Sequence, residues 1–189
     1  MSVGALADKV VIVTGAAAGL GRAYALDCAA EGAAVVVNDI DSEGVEKVAA
    51  EITATGARAL PSRHSVTDWE ASGRIVELCL KTFGRVDGLV NNAGVLSLRL
   101  PWEEDNVSIR RTVEVNLIGS LFVGTHVMRA MVDQRFGSIV NITSSAQLGL
   151  ATMGVYGSTK GGLASLTYDL AMTGVWRASS CPATGTDRQ

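Results

Sequence analysis

Apolar residues along this chain come in two alternating rhythms. Short unbroken runs rich in valine and isoleucine are followed by longer stretches in which apolar side chains return every three or four residues. Lys9–Thr14 (KVVIVT) is a run of the first kind, closed by glycine, and predicts a strand buried on both faces. Ala33–Asn38, Gly88–Asn91 and Ser138–Ile142 predict three more, with a weaker one near Ala57–Leu60. The intervening stretches predict helices over Gly19–Glu31, Ser42–Thr55, Asp68–Phe83 and Tyr156–Ala171. A longer helix is expected from about Glu103 to Arg135, bent near Gly119 or Gly124. Ser42 and Asp68 read as N-caps, Gly32 and Gly56 as stops. Strand and helix alternating in this way predict right-handed βαβ units, and so an α/β fold with a doubly wound parallel sheet and helices on both faces.

The rhythm stops near Thr173. The closing segment, TGVWRASSCPATGTDRQ, is small, polar and without period. The sequence therefore predicts one domain over 1–172 and a disordered tail over 173–189, with no strand after the last helix.

Bulk properties narrow the partners. A chain of 189 residues, 48% hydrophobic and 19% charged, suits a single globular core. A net charge of -3 with no basic run argues against nucleic acid. Cys28, Cys79 and Cys181 form no ligand pattern, so no metal is expected, and an odd unpatterned set suits a reducing compartment. Met1–Ala7 lacks the cationic start of a secretory signal, and Val10–Val13 is too short to span a bilayer. The expected location is the cytoplasm, with no membrane partner.

Two segments carry chemistry. In Thr14-Gly15-Ala16-Ala17-Ala18-Gly19-Leu20-Gly21, the glycines follow a strand and open a helix. Gly15 permits a tight turn, Gly19 lets the backbone approach a pyrophosphate, and Gly21 lets helix and sheet pack closely. The helix N-terminus supplies free N–H groups to the phosphates. Asp39, 24 residues after Gly15, ends the second strand. A carboxylate there accepts from both ribose hydroxyls and repels a 2′-phosphate. With no Arg or Lys at 16–20 or 38–40, the expected cofactor is NAD rather than NADP.

The second segment is Tyr156-xxx-Lys160, on one helix face just downstream of Ser144. A phenol titrates near ~10, too high for a base at neutral pH. A neighbouring ammonium favours the phenolate, which makes tyrosine a workable general acid/base. Lys160 can also reach the nicotinamide ribose. Ser144 can hydrogen-bond a substrate oxygen as charge develops there.

In order, Thr14-Gly15-xxx-Gly19-x-Gly21, Asn91-Asn92-Ala93-Gly94, Asn116, Ser144 and Tyr156-xxx-Lys160 resemble the classical short-chain dehydrogenase/reductase family, over about Leu6–Met172. The resemblance implies a Rossmann-like sheet and a catalytic set of Asn116, Ser144, Tyr156 and Lys160, with Ser145 as fallback for Ser144. Asn116 would hold a water that links Lys160 to solvent. The implied cofactor set is Gly15, Gly19, Leu20, Gly21, Asp39, Ser65, Val66, Asn91, Ala93, Gly94, Tyr156 and Lys160. Ser65 stands where the family often has an aspartate for the adenine amino group.

It further implies a homodimer or homotetramer through the two helices bearing Leu117, Leu121 and Phe122, and Leu163, Leu166 and Leu170, although a buried face within the chain would look the same. Family members continue past the tyrosine helix into a strand, a substrate lid and a final strand, which this sequence lacks. The expected activity is NAD-dependent interconversion of a small-molecule secondary alcohol and ketone. The rival expectation is a nucleotide-binding fragment acting only beside a full-length relative. An isomerase or epimerase using the same Tyr-Lys pair is a third.

His64, His126, Trp69 and Trp102 show no ligand spacing. The tryptophans are expected to start helices and pack.

Overall fold

The computed structural model describes residues 4–172, and residues 177–182 as backbone. Six parallel strands form one sheet in the order β3-β2-β1-β4-β5-β6. They are β1 (Val10–Thr14), β2 (Ala34–Asn38), β3 (Ala59–Ser62), β4 (Gly88–Asn91), β5 (Ser138–Thr143) and β6 (Arg177–Pro182). The helices are α1 (Gly19–Ala30), α2 (Ser42–Ala54), α3 (Trp69–Phe83), α4 (Asn106–Val113), α5 (Gly119–Gln134) and α6 (Gly154–Met172). The strand order reverses between β1 and β4, which opens a crevice at the carboxyl ends of the strands.

Alternate residues of each strand point to opposite faces, and the core divides accordingly. Val11, Val13, Val35 and Val37 meet Ala25 and Ala29 of α1 and Val45, Val48 and Ile52 of α2. Val10, Ile12, Val36, Leu89 and Ile139 meet Ile75 and Val76 of α3, Val123, Val127 and Met131 of α5, and Leu170 of α6. A buried polar relay ties the second half together. Asn91 Nδ2 donates to Asn141 Oδ1 at 2.9 Å, and Asn141 Nδ2 donates to Thr167 Oγ1 on α6 at 2.9 Å.

Several expectations need correction. The segment after α6 does hold a strand. The backbone of Arg177–Pro182 pairs with the whole of β5, from Ser138↔Arg177 to Thr143↔Pro182. Nothing in RASSCP signals β-structure; the open hydrogen-bonding edge of β5 supplies the template. The rest of the expected tail lies outside the described residues. The cap of α2 is Asp41, whose Oδ1 accepts from Gly44 N at 3.1 Å, not Ser42. Asp68 does cap α3, accepting from Ala71 N at 2.6 Å.

The long helix starts later, at Asn106 behind the Asp105 cap, and its irregularity is a π-helical turn over Glu114–Ile118 rather than a bend at a glycine. Trp102 precedes that helix and is 79% exposed, so it packs nothing. Trp69 packs edge-on against Phe122 at 5.2 Å and lies 4.2 Å from the His126 ring. By length and composition Asn106–Gln134 could cross a bilayer, but Val123, Val127 and Met131 on it are fully buried in the core.

The apolar residues expected on the two helix faces also make contacts within the chain. Leu163 and Leu170 are buried, Leu166 packs against the core, Phe122 meets Trp69, and Leu117 lies against Gly162. Of the six named residues, Leu121 is the exposed one, at 37%.

Candidate active site

The crevice is built by the ends of β1, β2, β3 and β4. Thr14 closes β1, and its Oγ1 accepts from Asn92 N and Ala93 N, both at 3.1 Å. Asn92 Nδ2 returns two bonds, to Thr14 O at 2.9 Å and Gly15 O at 3.0 Å. This stapling brings the glycine loop and the β4 loop together.

The glycines are required by contact. A Cβ on Gly21 would lie 2.0 Å from Gly15 O, and one on Gly15 2.8 Å from Ala93 Cα. Gly19, at φ +55, faces open space within 4 Å. Ala18 precedes α1 and makes no side-chain cap, so the first N–H groups of that helix have no side-chain acceptor there. An open approach over uncapped N–H groups fits a pyrophosphate.

A cavity of about 450 Å³ runs along this crevice. Of the expected cofactor residues, Gly15, Leu20, Gly21, Asp39, Ser65, Val66, Ala93 and Gly94 line it. Asp39 is half-buried in the lining, with Oδ2 accepting from Ala17 N at 3.2 Å and Oδ1 from Asp41 N at 3.1 Å. Arg22, the basic residue nearest the loop, is held by both carboxylate oxygens of Glu51 at 2.5 and 2.7 Å. Ser65 Oγ lies 2.9 Å from Thr67 Oγ1.

Asn91 is placed differently from expectation. Its side chain is buried and turned into the relay with Asn141 and Ser120 O, so it does not line the cavity. As the inward-facing last residue of β4, it secures the strand instead. The lining also includes residues outside the expected set, among them Ile40, His64 and Arg111. His64 Nδ1 lies 3.1 Å from Ser62 Oγ, which also accepts from Asn38 Nδ2 at 3.1 Å. Only their place just past a strand end, or along one face of the long helix, could have signalled them.

The second cluster lies where α6 meets β5. Ser144 leaves β5 and caps the short 3-10 turn Ser145–Leu148, its Oγ accepting from Ala146 N at 3.2 Å. Ser145 is exposed. Gly157 lets α6 close onto that turn: a Cβ there would stand 2.4 Å from Ala146 O. Tyr156, half-buried, is thereby carried to the turn that holds Ser144.

Lys160 follows one helical turn later, 3% exposed, donating from Nζ to Ile142 O at 2.6 Å. Its Nζ is 5.6 Å from the Tyr156 ring centre. Burial pushes its pKa down from 10.5 to about 8.

Asn116 sits in the π-helical turn, fully buried. Its Oδ1 accepts from Val95 N at 2.8 Å, and its Nδ2 donates to Val95 O at 2.9 Å and Thr159 Oγ1 at 3.3 Å. Its amide pins the β4 loop to the helix and touches α6 at the residue before Lys160. No cluster of three or more His, Cys, Asp or Glu suited to a metal occurs among the described residues.

Residues 9–175 match the short chain dehydrogenase family. The chain belongs to the short-chain dehydrogenase family. It is 39% identical over 171 residues to cis-4-hydroxycyclohexanecarboxylate dehydrogenase of Sinomonas cyclohexanicum, covering 89% of this chain and 68% of that protein. It is 38% identical over 173 residues to an L-rhamnose 1-dehydrogenase (NAD(P)(+)) of Azotobacter vinelandii, covering 88% and 68%. The structure of an NAD+-bound xylitol dehydrogenase superposes with a TM-score of 0.90 at 32% identity, covering 94% of this chain and 70% of that one. The chain thus spans about two thirds of the length of the curated relatives it matches. The family is one of oxidoreductases whose named members here are dehydrogenases acting on CH–OH groups.

Proposed function

We propose that this chain binds NAD along the crevice and interconverts a secondary alcohol and a ketone, with Tyr156 as the proton donor and acceptor. The observation that carries the reading is Lys160. A lysine buried to 3% exposure, one turn from a half-buried tyrosine and beside a serine-capped turn, is expensive for stability and suited to chemistry.

NAD, when bound, supplies or accepts the hydride. The glycine loop and the N-terminus of α1 hold its pyrophosphate, and Asp39 accepts from the ribose hydroxyls. Ser144 already accepts from Ala146 N, which leaves its O–H to donate to the substrate oxygen. Tyr156 exchanges the proton at that oxygen. Lys160 gives one N–H to Ile142 O and keeps two for the phenol oxygen and a ribose hydroxyl. Asn116 acts through position, holding the β4 loop against α6.

NAD is favoured over NADP because Asp39 lines the crevice and Arg22 is committed to Glu51. The relatives' names support a small hydroxylated substrate, in one case a carboxylate and in another a sugar.

The test is Tyr156→Phe in the purified chain. Turnover of a panel of secondary alcohols should be abolished while the Kd for NAD stays within about twofold. Loss of NAD binding as well, or unchanged turnover, would remove Tyr156 from the reaction. A wild-type chain that binds NAD but turns over no alcohol would leave a nucleotide-binding fragment as the better reading.

A further inference from the structure

Arg111 is a cation that the proposed reaction does not use. It lies exposed on α4, and among the described residues no hydrogen bond or ion pair engages its side chain. Its neighbours are committed. Arg110 Nε donates to Asn106 Oδ1 at 2.8 Å, and Arg99 pairs with Asp105 at 2.6 Å.

The helix fixes where Arg111 looks. Arg111, Val115 and Gly119 follow at steps of four and share one side of the helix. Val66 packs on Gly119 so closely that a Cβ there would lie 2.7 Å from Val66 Cγ2. That side of the helix therefore faces the loop after β3. Arg111 and Val115 line the crevice with Ser65, Val66 and Thr67. Ile40 follows β2 directly after Asp39, lines the same crevice, and is 72% exposed although apolar. The outer end of the crevice thus has an aliphatic wall from β2 and an uncommitted planar cation from α4.

We propose that Arg111 stacks its guanidinium on the adenine ring of the bound cofactor, with Ile40 against the other face. This rests on the reading of the crevice as an NAD site. The electron-rich face of a purine attracts a cation, and a guanidinium is planar and weakly hydrated enough to lie flat on it. With no carboxylate to release, Arg111 turns over the ring without breaking an existing bond. Asp39 then reads the ribose and Arg111 the base. Because the stack acts on the base, it is indifferent to what the ribose 2′-oxygen carries.

Calorimetric titration of the wild type, Arg111→Ala and Arg111→Lys with NAD, NADP, AMP and nicotinamide mononucleotide tests this, with thermal melts confirming that the exposed substitutions leave the fold intact. Arg111→Ala should weaken NAD and AMP by the same factor, roughly five- to tenfold, and leave nicotinamide mononucleotide unchanged. Arg111→Lys should recover only part of the loss. AMP affinity indifferent to Arg111→Ala overturns the stack. So does a loss confined to NADP, which would make Arg111 a phosphate ligand, and so does full rescue by lysine, which would show charge without plane. A wild type that binds neither NAD nor AMP fails the underlying reading. NAD binding that ignores Arg111 fails the stack alone.

Discussion

Strands β2 and β5 look alike in sequence and live in different surroundings. Every residue of β2 is buried, Val35 and Val37 under α1 and α2, and Val36 on the side of α3 and α5. In β5, Ile139 is 1% exposed, yet its neighbours Ser138 and Val140 are only half-buried. The same holds in β4 for Leu89 against Gly88 and Val90. The helices packed on β4 and β5 are α5 and α6, which share one face of the sheet. On the other face a groove of about 380 Å³ runs beside Val11, Cys28, Val90, Phe136 and Val140. An apolar run thus declares that a strand can be covered twice, and the helix count on each side decides whether it is. Strands β1 and β2 are closed on both faces, whereas β4 and the first half of β5, the strand that leads to Ser144, are closed on one.

The sharpest way to break that comparison uses adjacent residues of β5. Ile139→Ala should cost about 3–4 kcal/mol in urea unfolding, and Val140→Ala under about 1 kcal/mol. In β2, Val35→Ala and Val36→Ala should cost similar amounts. Equal losses at 139 and 140 would mean that both faces of β5 are covered in solution.

The next effect concerns the buried charge beside β5. The folded-state pKa of Lys160 lies below its ordinary 10.5, at about 8, so the folded protein binds fewer protons between those values. The burial penalty is full below pH 8 and fades as pH rises toward 10.5, so stability should increase through that window. The gain over that interval is on the order of 3 kcal/mol. A Lys160→Met variant should lack it. A wild-type profile parallel to that of the variant would show that Lys160 titrates normally.

The smallest effect lies just past β2, one of the closed strands. Asp39→Ala should narrow the ratio of NADP to NAD dissociation constants by about tenfold, with unfolding destabilised by about 1 kcal/mol through the lost bonds to Ala17 N and Asp41 N. An unchanged ratio would take cofactor choice away from Asp39.

What the chain reveals as a sequence follows from how local each signal is. The glycine loop, the Asp68 cap and the valine strands depend on residues within a few positions, and they are legible. β6 is not, because its pairing comes from the free edge of β5 and RASSCP adds no pattern of its own. Asn91 reads as part of a crevice wall, but the alternation of β4 turns its side chain inward to Asn141. Leu163 and Leu170 look as apt for a neighbouring subunit as for the core, since a helix face does not say which apolar surface it meets. Arg111 and Ile40 carry no motif, and only the fold brings them to the same opening.

The chain of amides from Asn91 through Asn141 to Thr167 works as an index mark between the sheet and the tyrosine helix. Sliding α6 by a single residue, 1.5 Å along its axis, would cost the buried bond from Asn141 to Thr167, which favours the present setting. Thr167 lies 11 positions from Tyr156 on that rod, about 16 Å away. Lys160 on Ile142 O and Gly157 against Ala146 O set the same helix near Tyr156, so α6 is indexed at both ends. A rigid rod pinned at two such points gives the Tyr156 side chain a fixed height above the sheet.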